Sequence, residues 1–286
     1  MMKSFGLFAL ALAVSAVGSE VSARELVTYA PSSVWEVEWA SDSCHLKRRF
    51  GTPDDGVDLI VSQYGYGPGV EVALAGHPIA RSNGDVFPLD YTFGGQTKRT
   101  EKAGFVALLG EREAVVKFGT LPVEYDSDAG AWRPDPAAEK QIVSIAIDQK
   151  RGDDFVIATG PMDKPLKALR DCSLQLLASW NLDADKHLTL ARDVTPRSNP
   201  GRWLDESSYK KVLGTLDLVS DVRFQIMVDA EGNATSCRVP LGSTETLDGE
   251  ELCRLLMKKA RFEPALDASG TPIASYWSSM VRFTTG

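Results

Sequence analysis

The sequence VRFQIMV at residues 222–228 alternates apolar and polar side chains and therefore predicts a β-strand. Alternate side chains of a strand project from the same face. The apolar face of this strand carries Val222, Phe224, Ile226 and Val228. The strand is therefore expected to have one buried face, and the elements that follow it are interpreted relative to that face.

A turn and a second strand follow. Residues 229–233 contain Gly232 and Asn233, which tolerate the positive φ values that turns use. Residues 234–239 alternate again, which predicts a return strand. Its predicted inward-facing side chains are Thr235, Cys237 and Val239.

A helix and a final strand complete this unit. Apolar residues recur at helical spacing from about Asp248, and Pro264 stops the helical pattern. This predicted stripe consists of Leu252, Cys253, Leu256 and Ala260. Residues 276–283 predict a last strand, with Trp277, Val281 and Phe283 on one face. The order strand, turn, strand, helix, strand predicts a small ββαβ domain.

A family resemblance is carried by residues spread through this unit. They are Val228, Asp229, Gly232, Val239, Leu247, Asp248, Ala260, Arg261, Phe262, Pro264, Ala265, Gly270, Pro272, Ile273, Val281, Arg282 and Phe283. In their order and spacing, residues 206–286 resemble the C-terminal domain of the TonB family of periplasmic proteins. The resemblance covers just over a quarter of the chain. Tyr209 and Lys210 stand where many members have Tyr-Pro, and the rest of the family's apparatus is missing.

The resemblance implies a mode of binding. In that family the domain binds peptide segments of outer-membrane receptors by adding a strand to its sheet. A strand at a sheet edge offers unpaired backbone groups for such an addition. The predicted partner-binding edge strand is Tyr276, Trp277, Ser278, Ser279, Met280, Val281, Arg282 and Phe283. Two alternatives stay open: the chain's own N-terminal domain caps this edge, or the edge forms a homodimer.

The N-terminus has the pattern of a secretion signal. Lys3 precedes an apolar run over residues 5–17, and residues 21–23 match a signal-peptidase cleavage site. Residues 1–23 are therefore predicted to be a signal peptide, and the predicted location is the periplasm. After cleavage no stable membrane insertion is expected. The alternative is an uncleaved membrane anchor, as in TonB itself.

Four cysteines agree with export to an oxidising compartment. Cys237 lies on the inward face of a predicted strand, and Cys253 lies on the inward stripe of the helix expected to pack against it. These two are predicted to form one disulfide, which leaves Cys44 to pair with Cys172. Cys172 lies on the apolar stripe of a predicted helix at residues 164–180.

Residues 24–182 predict a β-rich domain of a family that the sequence does not identify. Short strands with turn residues between them favour an antiparallel sandwich or an open barrel, and the helix at 164–180 closes the domain. Residues 183–205 are rich in turn and polar residues and predict a linker before the TonB-like domain at 206–286. The predicted fold class is α+β.

The sequence contains few candidates for catalysis or ligand binding. Its three histidines lie outside any known nucleophile motif. His45 is expected at the domain surface, His77 in a turn after a strand, and His187 in or beside the linker, where it is expected to be solvated. No spacing of cysteines and histidines predicts a metal site, and no motif predicts a cofactor. A net charge of −8 without a basic run argues against nucleic acid.

The predicted function is a non-enzymatic periplasmic module that binds a segment of an envelope protein, such as an outer-membrane receptor. One alternative is a periplasmic hydrolase with its site in the β-rich domain. A second is a TonB-like energy transducer, which requires that the N-terminal segment is not cleaved. An acid and a hydroxyl within hydrogen-bond reach of His45 or His77 favour the hydrolase.

Overall fold

The structure is a computed structural model of the 286-residue chain. It describes residues 26–67, 69–79, 87–94, 99–109, 113–118, 123–126, 131–149, 152–213, 220–239 and 249–283. The predicted signal peptide lies outside this part of the chain. The protein is a mixed α+β protein in which strands predominate and most strand pairs are antiparallel.

The first twelve strands belong to the N-terminal part of the chain. They are β1 (Val27–Tyr29), β2 (Glu36–Trp39), β3 (Cys44–Gly51), β4 (Gly56–Gln63), β5 (Glu71–Gly76), β6 (Phe87–Phe93), β7 (Arg99–Leu109), β8 (Glu113–Phe118), β9 (Val123–Asp126), β10 (Ala131–Pro134), β11 (Ile145–Gln149) and β12 (Phe155–Ile157). Ten of them form one sheet in the order β1-β12-β11-β6-β7-β8-β5-β4-β3-β2, and β9 and β10 form a separate hairpin. The β-rich unit, residues 26–180, is built on this sheet.

The two ends of the large sheet meet along β3. The N-terminal half of β3 pairs with β2, whereas its C-terminal half bonds to residues 30–32, which continue directly from β1. The Ser32 amide donates to the Arg49 carbonyl at 3.0 Å, and the Gly51 amide donates to the Ala30 carbonyl at 2.8 Å. The sheet therefore closes on itself locally, which leaves residues 30–32 and the second half of β3 without a free edge at this point.

The core of the β-rich unit lies between the inner face of this sheet and a long helix. The helices of the unit are α1 (Pro136–Gln141) and α2 (Asp163–Ser179). Leu166, Leu169, Leu176 and Leu177 of α2 are at most 2% exposed, since they recur every three or four residues and share one face. Cys172 on this face is joined to Cys44 of β3, with their Cα atoms 6.2 Å apart.

A three-stranded sheet forms the centre of the C-terminal unit, residues 183–283. Its strands are β14 (Ser220–Val228), β15 (Ala234–Arg238) and β19 (Ser275–Phe283), in the order β15-β14-β19. The other elements are helices α3 (Ala184–His187), α4 (Glu206–Leu213) and α5 (Gly249–Lys259), a 3-10 turn (Pro200–Arg202), and the short strands β13 (Thr195–Pro196), β16 (Phe262–Glu263), β17 (Ala265–Leu266) and β18 (Pro272–Ile273). α5 covers one face of the sheet, and Cys253 on α5 is joined to Cys237 on β15. Both disulfides are those expected from the sequence.

The segment predicted as a linker packs into the C-terminal unit. Val194 and Trp203 belong to its hydrophobic core, and β13 pairs with β16. His187 is only 5% exposed, so the expectation that it is solvated is wrong. Its ring bonds to the Asp183 carbonyl at 2.6 Å and to the Ser275 hydroxyl at 2.9 Å, which attaches the segment to the start of β19.

A β-bulge changes the predicted inward face of β15. The register shifts between Met227 and Val228, so Val228 pairs with Ala234 and Met227 with Ser236. Thr235 is the extra residue and is exposed, contrary to prediction, while its hydroxyl donates to the Met227 carbonyl. Cys237 keeps its predicted inward position opposite Ile226.

None of the helices in the described residues has the length and apolar composition needed to cross a membrane.

Candidate functional site

The predicted binding strand lies at the edge of the three-stranded sheet. All nine residues of β19 pair with β14, from Ser275 opposite Val228 to Phe283 opposite Ser220. Within the part of the chain that the structure describes, β14 is the one strand paired with β19. The opposite side of β19 therefore carries the backbone groups that strand addition uses.

The inner face of β19 is part of the hydrophobic core. The Trp277 ring contacts the rings of Trp203, Phe224 and Phe262, with centroids 5.3–5.6 Å apart. Val281 packs against the same core. These contacts fix the strand from the α5 side, so that its edge is held in a defined position.

The outer face of β19 contacts the β-rich unit. The Tyr276 hydroxyl donates to the Tyr66 carbonyl, and the Ser278 hydroxyl donates to the Tyr64 carbonyl at 3.3 Å. The Tyr276 ring also meets the Trp180 ring edge-on at 5.2 Å. Burial raises the pKa of Tyr276 well above its usual range, so the hydroxyl stays protonated as a donor. The turn between β4 and β5 thus covers the first half of this face, whereas Met280 is 40% exposed.

Gly65 makes this contact sterically feasible. A Cβ atom at this position would lie 2.5 Å from three atoms of the Tyr276 side chain, and the φ angle of +108° already disfavours other residues. The absence of a side chain allows the tyrosine ring to lie directly on the turn backbone.

Two arginines of the three-stranded sheet add charge to this contact surface, which is the junction between the two units. Arg223 bonds to Glu71 at 2.9 Å and lies over the Tyr64 ring at 4.1 Å. Arg238 lies over the Trp180 ring at 4.4 Å, and its guanidinium donates to Gln225. Cations on one unit thus face aromatic and acidic groups on the other, which favours one mutual orientation of the units.

A row of polar side chains crosses the large sheet beside this junction. The register places Glu38, His45, Ser62 and Glu71 directly opposite one another on β2, β3, β4 and β5. His45 is bonded on both ring nitrogens, to Ser62 at 2.8 Å through Nδ1 and to Ser43 at 3.0 Å through Nε2. Asp42 accepts from the Ser43 hydroxyl at 2.9 Å.

These bonds have a consistent direction. The single hydroxyl proton of Ser43 goes to Asp42, so the Ser43 oxygen accepts the Nε2 proton of His45. The Nδ1 atom is then free to accept from Ser62. Burial, with a smaller contribution from Lys47, lowers the pKa of His45 and favours the neutral ring that this tautomer needs. Ser62 and Ser43 are 5% and 2% exposed, which limits access to both hydroxyls.

The other candidate histidine lies elsewhere. His77 follows β5 and approaches Asp55 at 3.5 Å, with a side chain that is 73% exposed. Because Gly76 pairs with Val57 at the start of β4 and His45 pairs with Ser62 near its end, the two histidines lie at opposite ends of that strand. The structure does not bring them together.

Several residues of the junction and of the polar row beside it were not predicted from the sequence. Asp42, Ser43, Ser62, Glu71 and Arg223 carry no motif, and their meeting depends on which strands are neighbours. The sequence gives no signal for the pairing of His45 with Ser62, because the basic run at residues 47–49 interrupts the alternation of β3. Arg282 and Phe283 of the predicted edge have side chains outside the described residues.

Among the described residues, no group of three or more histidine, cysteine, aspartate or glutamate side chains is arranged to hold a metal ion. Comparisons of the chain with protein-family models, with curated proteins and with solved structures found no match.

Proposed function

We propose that this protein is a non-enzymatic interaction module of the bacterial periplasm that binds an extended segment of an envelope protein along β19. The observation that carries the proposal is the position of β19 at a sheet edge, with its nine residues paired on one side to β14. The two disulfides agree with an exported protein. The resemblance of residues 206–286 to the TonB C-terminal domain supports strand addition, with an outer-membrane receptor as one candidate partner.

The second half of β19 is the better place for a partner to bind. The β4–β5 turn covers the outer face at Tyr276 and Ser278, whereas the exposed fraction of Met280 is 40%. A partner strand that pairs with residues 279–283 gains backbone hydrogen bonds without displacing that turn. The β-rich unit then acts as a brace that holds the edge strand in place.

Adjacent proline substitutions test this proposal. Successive N–H groups of a strand point to opposite sides, so one of Met280→Pro and Val281→Pro removes a bond to β14, and the other removes an outward donor. The variant that keeps its fold is expected to lose the partner. A photocrosslinking residue at position 279 in cells, followed by mass spectrometry, reports on partner contact. Met280→Ser, which keeps the backbone donor, is the matched control and should retain the crosslinks.

Three results count against this proposal. The first is a folded proline variant that crosslinks as well as the parent protein. The second is a crosslink only to residues 24–182 of the same chain, which means that the edge is capped internally. The third is a crosslink only to a second copy, which means that the edge forms a homodimer.

The bonded serine and histidine support a second candidate function, a hydrolase that acts by acyl transfer at Ser62. The Ser62 oxygen attacks an ester carbonyl carbon, and its proton passes to Nδ1 of His45, which then protonates the departing alcohol oxygen. Water subsequently cleaves the acyl-serine ester by the same route. This candidate ranks second because Ser62 and Ser43 are almost fully buried.

A fluorophosphonate probe distinguishes the two functions. If Ser62 is a nucleophile, intact mass shows one adduct, which is lost in Ser62→Ala and reduced in His45→Gln. Ser278→Ala is the control, because its hydroxyl is bonded to a backbone carbonyl. The interaction module is expected to give no adduct with any of these proteins.

A further inference from the structure

Strand β2 lies at an edge of the ten-stranded sheet, in a different sheet from β19. It is the last strand of the ten-stranded sheet, and β3 is its single partner strand among the described residues. All four of its residues, Glu36–Trp39, are exposed. Sheet closure thus protects residues 30–32 and the second half of β3, but it does not extend to β2.

No strand of the described residues lies on the open side of β2, because the chain leaves the sheet after β12. Strand β12 runs beside β1, and the Ala158 amide still donates to the Tyr29 carbonyl at 3.0 Å. The chain then leaves the sheet, since the Gly160 amide bonds to the Val143 carbonyl and α2 begins at Asp163. The place beside β2 that a longer β12 would take therefore holds no strand of the described residues.

The two faces of β2 differ in chemistry. Val37 and Trp39 pair with Leu46 and Cys44, so they continue the apolar face that α2 covers further along the sheet. They are nevertheless 40% and 48% exposed, and the nearby Val34 is 70% exposed. Glu36 and Glu38 project from the opposite face, where Lys47 pairs with Glu38.

We propose that β2 binds an extended cationic segment of a partner protein, in which lysine or arginine alternates with apolar residues. The backbone of such a segment pairs with the open side of β2. Its apolar side chains cover Val37 and Trp39, and its basic side chains lie beside Glu36 and Glu38. The net charge of −8 also favours the approach of a cationic segment.

A second copy of the chain fits this edge poorly. Antiparallel pairing of β2 with β2 of another molecule places the glutamates of the two strands close to one another on the same face. Like charges in cross-strand positions are destabilising. The same alternation that suits a basic partner therefore opposes self-association.

Labelled peptides test the proposal. The probe is a fluorescein-labelled octapeptide in which lysine alternates with valine, and its binding to the purified protein is followed by fluorescence anisotropy. A peptide with four lysines followed by four valines has the same charge without the alternation. Glu36→Lys combined with Glu38→Lys should weaken binding of the alternating peptide at least about tenfold. Asp185→Lys combined with Glu231→Lys changes the net charge equally at other exposed positions and should leave it almost unchanged.

Further measurements separate strand pairing from simple charge attraction. N-methylation of every second residue of the peptide blocks one of its two hydrogen-bonding edges, so one of the two methylation patterns should abolish binding. Trp39→Ser should weaken binding without changing the net charge, with the fold checked by circular dichroism. The proposal is overturned if the block peptide binds equally well, if the Glu36 and Glu38 variant binds normally, or if neither peptide binds. It is also overturned if light scattering shows a dimer that the Trp39 variant loses.

Discussion

The two halves of the molecule are cross-linked over very different distances along the chain. Cys44 and Cys172 are separated by 128 residues and join the start of the β-rich unit to its closing helix. Cys237 and Cys253 are separated by 16 residues and join a strand to the helix that follows it. The bridge of the β-rich unit therefore joins distant segments, whereas the bridge of the C-terminal unit joins β15 to α5, the next element along the chain. Long loops are entropically more costly to close, so the two units should respond differently to the same kind of change.

Removal of each disulfide should give the largest effect. In the chain-entropy model, Cys44→Ser combined with Cys172→Ser lowers the free energy of unfolding by about 5 kcal/mol, and Cys237→Ser combined with Cys253→Ser lowers it by about 3 kcal/mol. Denaturant unfolding with hydrogen exchange read separately for residues 26–180 and 183–283 measures both values. Equal losses in the two units contradict the comparison, and they mean that the protein unfolds as one cooperative block.

Substitutions at the junction between the units are expected to give the next largest loss in the free energy of unfolding. Gly65→Ala is expected to cost about 2 kcal/mol, since the residue has a positive φ and its new Cβ meets the Tyr276 ring. Hydrogen exchange should increase in residues 64–67 and in β19. Gly67→Ala is the control, because a Cβ atom there has no neighbour within 4 Å. Adding Tyr276→Ala to Gly65→Ala should relieve the steric part of the loss; if it does not, backbone strain explains the whole effect.

The ion pair across the junction gives a smaller effect. A double-mutant cycle with Arg223→Met and Glu71→Gln is expected to give a coupling energy of about 1 kcal/mol, because both side chains are mostly shielded from water. The same cycle on the exposed pair of Lys167 and Asp171 in α2 should give about 0.4 kcal/mol. A coupling energy for Arg223 no larger than that of the exposed pair argues that the junction does not fix the orientation of the units.

The smallest expected effect is the pH dependence of stability in each unit. Burial lowers the pKa of His45 in the β-rich unit and of His187 in the C-terminal unit below the ordinary value of 6.5. As the pH falls below 6.5, the histidines of the unfolded chain bind protons before those of the folded protein do. The free energy of unfolding therefore has its full value above pH 6.5 and decreases as the pH falls through the lowered pKa of each histidine in the folded protein.

Substitutions separate the two histidines. His187→Gln should reduce the pH dependence of hydrogen exchange in the C-terminal unit alone, and His45→Gln should do so in the β-rich unit alone. His77→Gln is the control, since that side chain is 73% exposed. A change in both units from either substitution shows that the units titrate together.

The parts of the fold that follow from local patterns were predictable. The alternation of residues 222–228 predicted a strand, and the apolar stripe at residues 164–180 predicted a helix. The structure contains both elements, as β14 and α2. Strand β3 was not predicted over most of its length, because the basic run at residues 47–49 interrupts its alternation. Arg48 nevertheless lies on the inner side of the sheet, where its guanidinium is 5.3 Å from the centroid of the Trp35 ring and 5.6 Å from that of Phe50. A cation stacked on aromatic rings is compatible with a partly buried strand, and the sequence pattern alone does not reveal it.

The candidate site was predictable only in part. The position of residues 276–283 in a strand and the partners of the cysteines follow from periodicity, since side-chain direction repeats every two residues in strands and every 3.6 in helices. The contact of Tyr276 with the turn at Gly65 does not follow, because it joins segments about 210 residues apart. The same holds for the bond between Arg223 and Glu71.

The sequence by itself determined which side chains share a face in β14, α2 and α5, and through this the two disulfides and the α+β class. Tertiary structure alone decided which elements are neighbours. It aligned Glu38, His45, Ser62 and Glu71 in one row, closed the large sheet through residues 30–32, and left β2 and β19 as edges. The physical reason is that alternation specifies the direction of a side chain but not its partner strand. Partner strands are selected by the burial and hydrogen bonding of the whole chain.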